Sequence, residues 1–105
     1  LEIIFAKFKA SVFYWHDTGH AEIFEKLGFA RHKDYPDNFK QRLIGMHLHD
    51  VKGVKDHKAP LEGELDFSIL KTYLKKDTLK VIEAHFPATP DAITKAKNYL
   101  EKVLQ

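Results

Sequence analysis

Three short, β-prone apolar runs constrain this chain more than anything else in it. They are Val12-Phe13-Tyr14-Trp15, Leu43-Ile44-Gly45-Met46-His47-Leu48 and Leu79-Lys80-Val81-Ile82-Glu83-Ala84, and they begin 31 and 36 residues apart. That spacing is about one strand–helix unit. Helical patterns fill the gaps. Ala21-Glu22-Ile23-Phe24-Glu25-Lys26-Leu27 runs up to Gly28, a residue suited to a helix C-terminus. Asp66 is placed to cap a helix over 67–75, with Phe67, Leu70, Tyr73 and Leu74 as its buried stripe. Thr89-Pro90-Asp91 joins a hydroxyl cap, a proline at the first helical position and an acid in the first turn. The helix it starts runs to about Leu104, with Ile93, Ala96, Tyr99, Leu100 and Val103 facing inward. Strands alternating with helices imply an α/β fold of parallel strands joined by right-handed crossovers. Residues 31–42 and 51–63 read as polar loops. The second follows a strand's carboxyl end, where such folds keep their chemistry.

The 105 residues are 44% hydrophobic, the composition of one ordinary domain spanning 1–105. Seventeen basic and fifteen acidic side chains leave a net charge of +2, too little field to make nucleic acid the default partner. With no cysteine, disulfides and thiolate metal sites are excluded, so any metal must be held by imidazole and carboxylate. No apolar run approaches the roughly 18–20 residues that span a bilayer, and a cytoplasmic location is expected. The first residue is Leu, and Ile4, Phe5 and Phe8 already share a helical face. A chain that opens inside an uncapped helix reads as a piece of something longer.

Each strand ends in ionisable groups: His16-Asp17-Thr18-Gly19-His20, His47-Leu48-His49-Asp50, and Glu83-Ala84-His85. Strand side chains alternate faces, so His47 and His49 point one way, as do Glu83, His85 and the apolar Val81. Glu83 is the strongest functional candidate, because a carboxylate inside Val-Ile-Glu-Ala is costly to bury without a cation or a proton. Asp17 reads either as a metal ligand or as the cap of the following helix. His47 reads as a ligand or as a hydrogen-bonded core histidine. His16, His49 and His85 read as partners that orient ligands or as solvated strand-end residues. Asp56-His57 reads either as an extension of the site or, preferred here, as loop decoration, Trp15 as core, and the lysine-rich stretch 71–80 as a solvated helix face.

In combination and order these motifs carry a resemblance. Asp17-Thr18-Gly19-His20-Ala21, then Gly45-Met46-His47-Leu48-His49-Asp50, then Pro60-Leu61-Glu62-Gly63-Glu64-Leu65-Asp66-Phe67, then Val81-Ile82-Glu83, resemble the carboxyl-terminal part of the xylose-isomerase-like TIM barrels. That superfamily holds sugar-phosphate isomerases and epimerases and the endonuclease IV type of apurinic-site nuclease. The resemblance implies that the chain is the last three βα units, strands six to eight, of a (β/α)8 barrel. It implies that Asp17, His47 and Glu83 are ligands of one divalent metal ion (Mn, Mg, Co or Zn), and that His20 contacts substrate. In the nucleases the residue matching His20 is itself a metal ligand. The family's fourth ligand, a glutamate ending strand five, has no counterpart here. A departure lies at Leu61-Glu62-Gly63-Glu64, one residue shorter than the family's usual Leu-Gly-x-Gly.

What the resemblance implies chemically is proton transfer next to a carbonyl of a sugar or sugar phosphate. Glu83 is then ligand and general base in turn, and the metal stabilises the enediolate. Phosphodiester cleavage at abasic DNA is the alternative within enzymes; near three zincs per chain would favour it and near one the isomerase. The alternative of another class is a non-catalytic fragment. A barrel of this kind needs about 250 residues, so the chain alone is expected to lack isomerase turnover. Two open sheet edges and an uncovered apolar face predict a homo-oligomer, or association with the missing N-terminal half.

Overall fold

The computed structural model describes Lys7 and residues 12–105. The helix expected around Ile4, Phe5 and Phe8 lies outside the described residues. The chain is mixed α/β, built on strands β1 (Tyr14–Asp17), β2 (Leu43–Leu48) and β5 (Leu79–Ile82). Strands β3 (Asp50–Lys52) and β4 (Lys55–Lys58) form a separate antiparallel hairpin. The helices are α1 (Thr18–Lys26), α2 (Asp34–Phe39) and α3 (Pro90–Val103), with 3-10 turns at Lys40–Arg42 and Phe67–Tyr73. The three-stranded sheet runs in the order β1-β2-β5, with both pairings parallel.

Register decides which side chains meet. Asp17 pairs with His47, and His47 with Val81, so residues of one parity share a face. On one face lie His16, Met46 and Leu48, all essentially sealed from solvent. Met46 and Leu48 belong to the core with Tyr14, Leu43, Leu65, Phe67, Leu70, Tyr73 and Leu100. The other face carries Trp15, Asp17, His47 and Val81. It is poorly covered, with Leu79 58% and Val81 44% exposed.

The helices follow from local chemistry. Thr89 Oγ1 accepts from the Ala92 amide at 3.1 Å, and Ala96 and Leu100 form the buried stripe of α3. Asp66 caps its segment as the sequence suggests, accepting from the Ser68 amide at 3.0 Å. The helix that follows is 3-10 rather than α, because its anchors Phe67, Leu70 and Tyr73 recur every three residues, and three residues per turn aligns all of them with the core. Leu74, expected in the stripe, ends the segment half-buried.

Three other expectations are corrected. Strand β1 lies two residues later than Val12–Trp15, so His16 and Asp17 are strand residues themselves. Residues 31–42 are not a loop: α2 forms there, with Pro36 in its first turn, where a missing amide costs nothing, and Asp34 and Asp37 favouring its N-terminus. Residues 51–63 contain the β3–β4 hairpin, turned by Gly53-Val54, with Gly53 at φ +64, a conformation open to glycine. No helix among the described residues is long and apolar enough to cross a membrane.

Candidate metal centre

The site is assembled where β1, β2 and β5 end. Asp17 is both the last residue of β1 and the N-cap of α1, accepting the His20 amide on Oδ1 at 2.9 Å. The cap and ligand readings are therefore compatible, since the cap uses Oδ1 and leaves Oδ2 turned towards the histidines. That second oxygen lies 3.3 Å from His20 Nδ1 and 4.0 Å from His47 Nδ1. Thr18 pins the helix start to the end of β2: its hydroxyl accepts from the His49 amide at 3.0 Å and donates to the His49 carbonyl at 2.8 Å.

His49 is fully buried and orients Asp17. The His57 amide, a donor only, reaches His49 Nδ1 at 2.9 Å, so that nitrogen accepts and the proton sits on Nε2. Nε2 then donates to Asp17 Oδ1 at 2.5 Å. With both nitrogens engaged, His49 supports a ligand and is not one itself. Its ring requires glycine at position 19, where a β-carbon would stand 2.0 Å from His49 Cε1. Burial works to raise the Asp17 pKa, but the hydrogen bonds from the His49 ring and the His20 amide outweigh it and hold the carboxyl at about 2.

Glu83 faces two ways. Its amide donates to Leu48 O at 3.0 Å, extending the pairing of β5 with β2 past the last strand residue. Oε2 lies 3.4 Å from His47 Nδ1 and is buried without a hydrogen-bond partner. Oε1 lies 3.6 Å from His57 Nε2 and 3.9 Å from His85 Nε2. The expected ligands Asp17, His47 and Glu83 thus converge, with one donor atom from each within 4.8 Å of the others. Donors about 2.1 Å from one tetrahedral ion stand about 3.4 Å apart, so these residues fit a divalent cation. An unpartnered buried carboxylate oxygen is the feature such an ion would satisfy. Trp15 is half-buried and outside the core cluster, with its ring centre 5.2 Å from that of His47.

The other histidines separate. His20 is half-exposed at the rim, between Asp17 and Asp56 Oδ2, the latter at 3.4 Å. His85 is exposed and stacks on His57, ring centres 3.9 Å apart. His16 is neither a partner of the ligands nor solvated, because it points through the opposite face of the sheet. There Tyr14 Oη meets His16 Nδ1 at 2.8 Å, His16 Nε2 meets His32 Nε2 at 2.9 Å, and His32 Nδ1 meets Glu22 Oε1 at 3.1 Å. A single proton order satisfies every atom: the phenol donates to His16, His16 to His32, and His32 to the carboxylate, with both rings neutral. Burial, then the neighbouring His32, pushes the His16 pKa down to about 3, against the opposing pull of Asp17. Burial likewise lowers His32, against the raising effect of Glu22.

Two contributors escape a sequence reading. Asp56-His57, read as loop decoration, is carried into the site by the hairpin, where His57 stacks between His49 and His85. Asp50 is buried and accepts four backbone amides, from Val51, Leu61, Gly63 and Leu65, at 2.8–3.1 Å. It folds the 59–65 loop against the hairpin. Its position immediately after a strand was the available signal, but four amide donors from a distant loop have none. No family model matches the chain, and neither a curated protein nor a solved structure matches it.

Proposed function

We propose that this chain is the strand-six to strand-eight sector of a (β/α)8 barrel similar to the xylose-isomerase-like proteins. In this reading its strand-end cluster serves a metal-dependent isomerase or epimerase acting on a sugar or sugar phosphate. The observation that carries it is the convergence of Asp17 Oδ2, His47 Nδ1 and the unpartnered Glu83 Oε2 at the carboxyl ends of three sequential parallel strands. Sequential parallel order is what a barrel sector requires. A helix-packed face backing an open face that bears the chemistry is the same signature.

Asp17 and His47 hold a divalent ion, with Mn, Mg, Co and Zn all compatible with the donor set. When bound, that ion withdraws charge from the substrate's oxygens. Glu83 removes the proton from the carbon beside the carbonyl, and the electron pair moves into that carbonyl. His20, at the rim, steadies a substrate hydroxyl. Return of the proton on the opposite face falls to a second acid, which the barrel reading places at the end of strand five, outside this chain.

Proton removal by Glu83 is separable from turnover. With Mn2+ and a panel of ketoses and their phosphates in heavy water, the chain is expected to wash deuterium into the carbon next to the carbonyl without net isomer formation. Glu83→Gln is expected to slow that exchange by about 100-fold or more. Exchange unchanged by Glu83→Gln contradicts the reading.

A further inference from the structure

The mechanism above uses one oxygen of Glu83. The other faces a different pair of imidazoles, and we propose that His57 Nε2, His85 Nε2 and Glu83 Oε1 form a second cation position. It takes a late first-row divalent ion such as Zn2+, and Glu83 bridges it to the Asp17–His47 position.

The placement of the three donor atoms carries the argument. His57 Nδ1 lies 2.8 Å from Asp56 Oδ1, an acceptor, so Nδ1 is the donor and the neutral ring leaves its lone pair on Nε2. That nitrogen faces Glu83 Oε1 at 3.6 Å. His85 Nε2 approaches the same oxygen at 3.9 Å, and the His57 and His85 rings stack within 8° of parallel. One donor atom from each of His57, Glu83 and His85 lies within 4.8 Å of the others, and the 3.6 and 3.9 Å gaps approach the donor separation of a tetrahedral zinc, about 3.4 Å.

The backbone fixes this arrangement. The His85 amide donates to the His57 carbonyl at 2.9 Å, tying the strand end to the hairpin. His57 itself sits at φ +56, a conformation non-glycine residues avoid and that concentrates at functional sites. The Asp56–His57 pair has the form of a carboxylate that orients a ligating imidazole and fixes its tautomer. Two nitrogens and one oxygen select zinc, cobalt or nickel over magnesium or calcium. The neighbouring trio His20, His49 and His57 is also close enough to be considered, but both nitrogens of His49 are already engaged.

A bridging Glu83 has neither oxygen free to take a proton. Filling the second position would therefore silence the base, a corollary that rests on the isomerase reading, whereas the site itself does not.

Calorimetric titration of the chelator-treated chain with Zn2+ tests the proposal. Wild type is expected to take up two equivalents. His85→Asn and His57→Asn are each expected to weaken one of them by about 100-fold and spare the other, and Asp17→Asn to do the reverse. His85 is 61% exposed, so its variant is expected to keep the wild-type circular dichroism. One equivalent that His85→Asn leaves untouched and Asp17→Asn removes overturns the second position and leaves the first. One equivalent lost in His85→Asn but retained in Asp17→Asn supports the second and overturns the first. No uptake at all overturns both.

Discussion

His16 and Asp17 are neighbours on β1 that point to opposite faces of the sheet, and the polar clusters they join obey different rules. Behind the sheet, Tyr14, His16, His32 and Glu22 form a closed chain in which every donor finds an acceptor, with both imidazoles fully buried. In front, Asp17, His47, Glu83, His57 and His85 are partly open, and imidazole nitrogens and carboxylate oxygens face one another across gaps of 3.4–4.0 Å, with Glu83 Oε2 buried and unpartnered. Residue types alone do not separate the two. What separates them is whether each buried polar atom has a partner. A fully paired cluster is a structural element that contributes stability, whereas one with an unpartnered buried oxygen has room in its chemistry for a cation.

That contrast can be broken from either side. The largest effect is expected from Glu83→Gln, which removes the shared carboxylate. Metal affinity measured by titration should fall by more than about 100-fold, while urea denaturation of the metal-free protein should show stability unchanged or raised by about 1 kcal/mol. A destabilised, metal-binding variant would place Glu83 with the structural cluster. His16→Ala should do the opposite, costing about 2–4 kcal/mol through a cavity and an orphaned His32, with metal uptake intact.

Acid should discriminate next. The folded protein keeps His16 unprotonated down to about pH 3, whereas the unfolded chain binds that proton near pH 6.5, so the unfolded state carries more protons across that window. Stability should therefore fall as pH drops from about 6.5 towards 3, at up to about 1.4 kcal/mol per pH unit for each such proton. Below about pH 4, protonation of Asp17 on its way to its lowered pKa adds to the loss. His16→Phe should flatten the upper part of the curve, and a wild-type profile flat between pH 6.5 and 4 would contradict the neutral-ring assignment. A smaller effect is expected from Gly19→Ala, whose β-carbon displaces the His49 ring and releases Asp17. Metal affinity should drop about tenfold, in line with losing a residue that orients a ligand. The smallest belongs to His20→Asn: at the exposed rim, stability should stay within about 0.5 kcal/mol.

The sequence was most legible where apolar runs were continuous or caps were explicit. Strand β2 coincides with its apolar run, and Thr89-Pro90-Asp91 starts α3 as expected. It was least legible where polar residues build regular structure. Strand β1 slid by two positions because His16 and Asp17 are extended and polar, each satisfied by partners 16 and 32 residues away. The hairpin residues Lys55-Asp56-His57-Lys58 show no apolar alternation, so His57 was read as decoration. Position at strand ends brought Asp17, His47 and Glu83 into view as candidates, and the family resemblance grouped them as one ligand set. Proton ownership is not local, and the roles of His49, Asp50 and His57 emerge only once their partners are placed.

The central claim is that the front cluster, and not the equally histidine-rich rear one, is a metal centre organised around Glu83. Anomalous diffraction from a crystal of this chain soaked in Mn2+ or Zn2+ addresses it directly. The account predicts a peak about 2.0–2.2 Å from Asp17, His47 and Glu83. A peak seated between His16 and His32, or none near Glu83 at saturating metal, would contradict it.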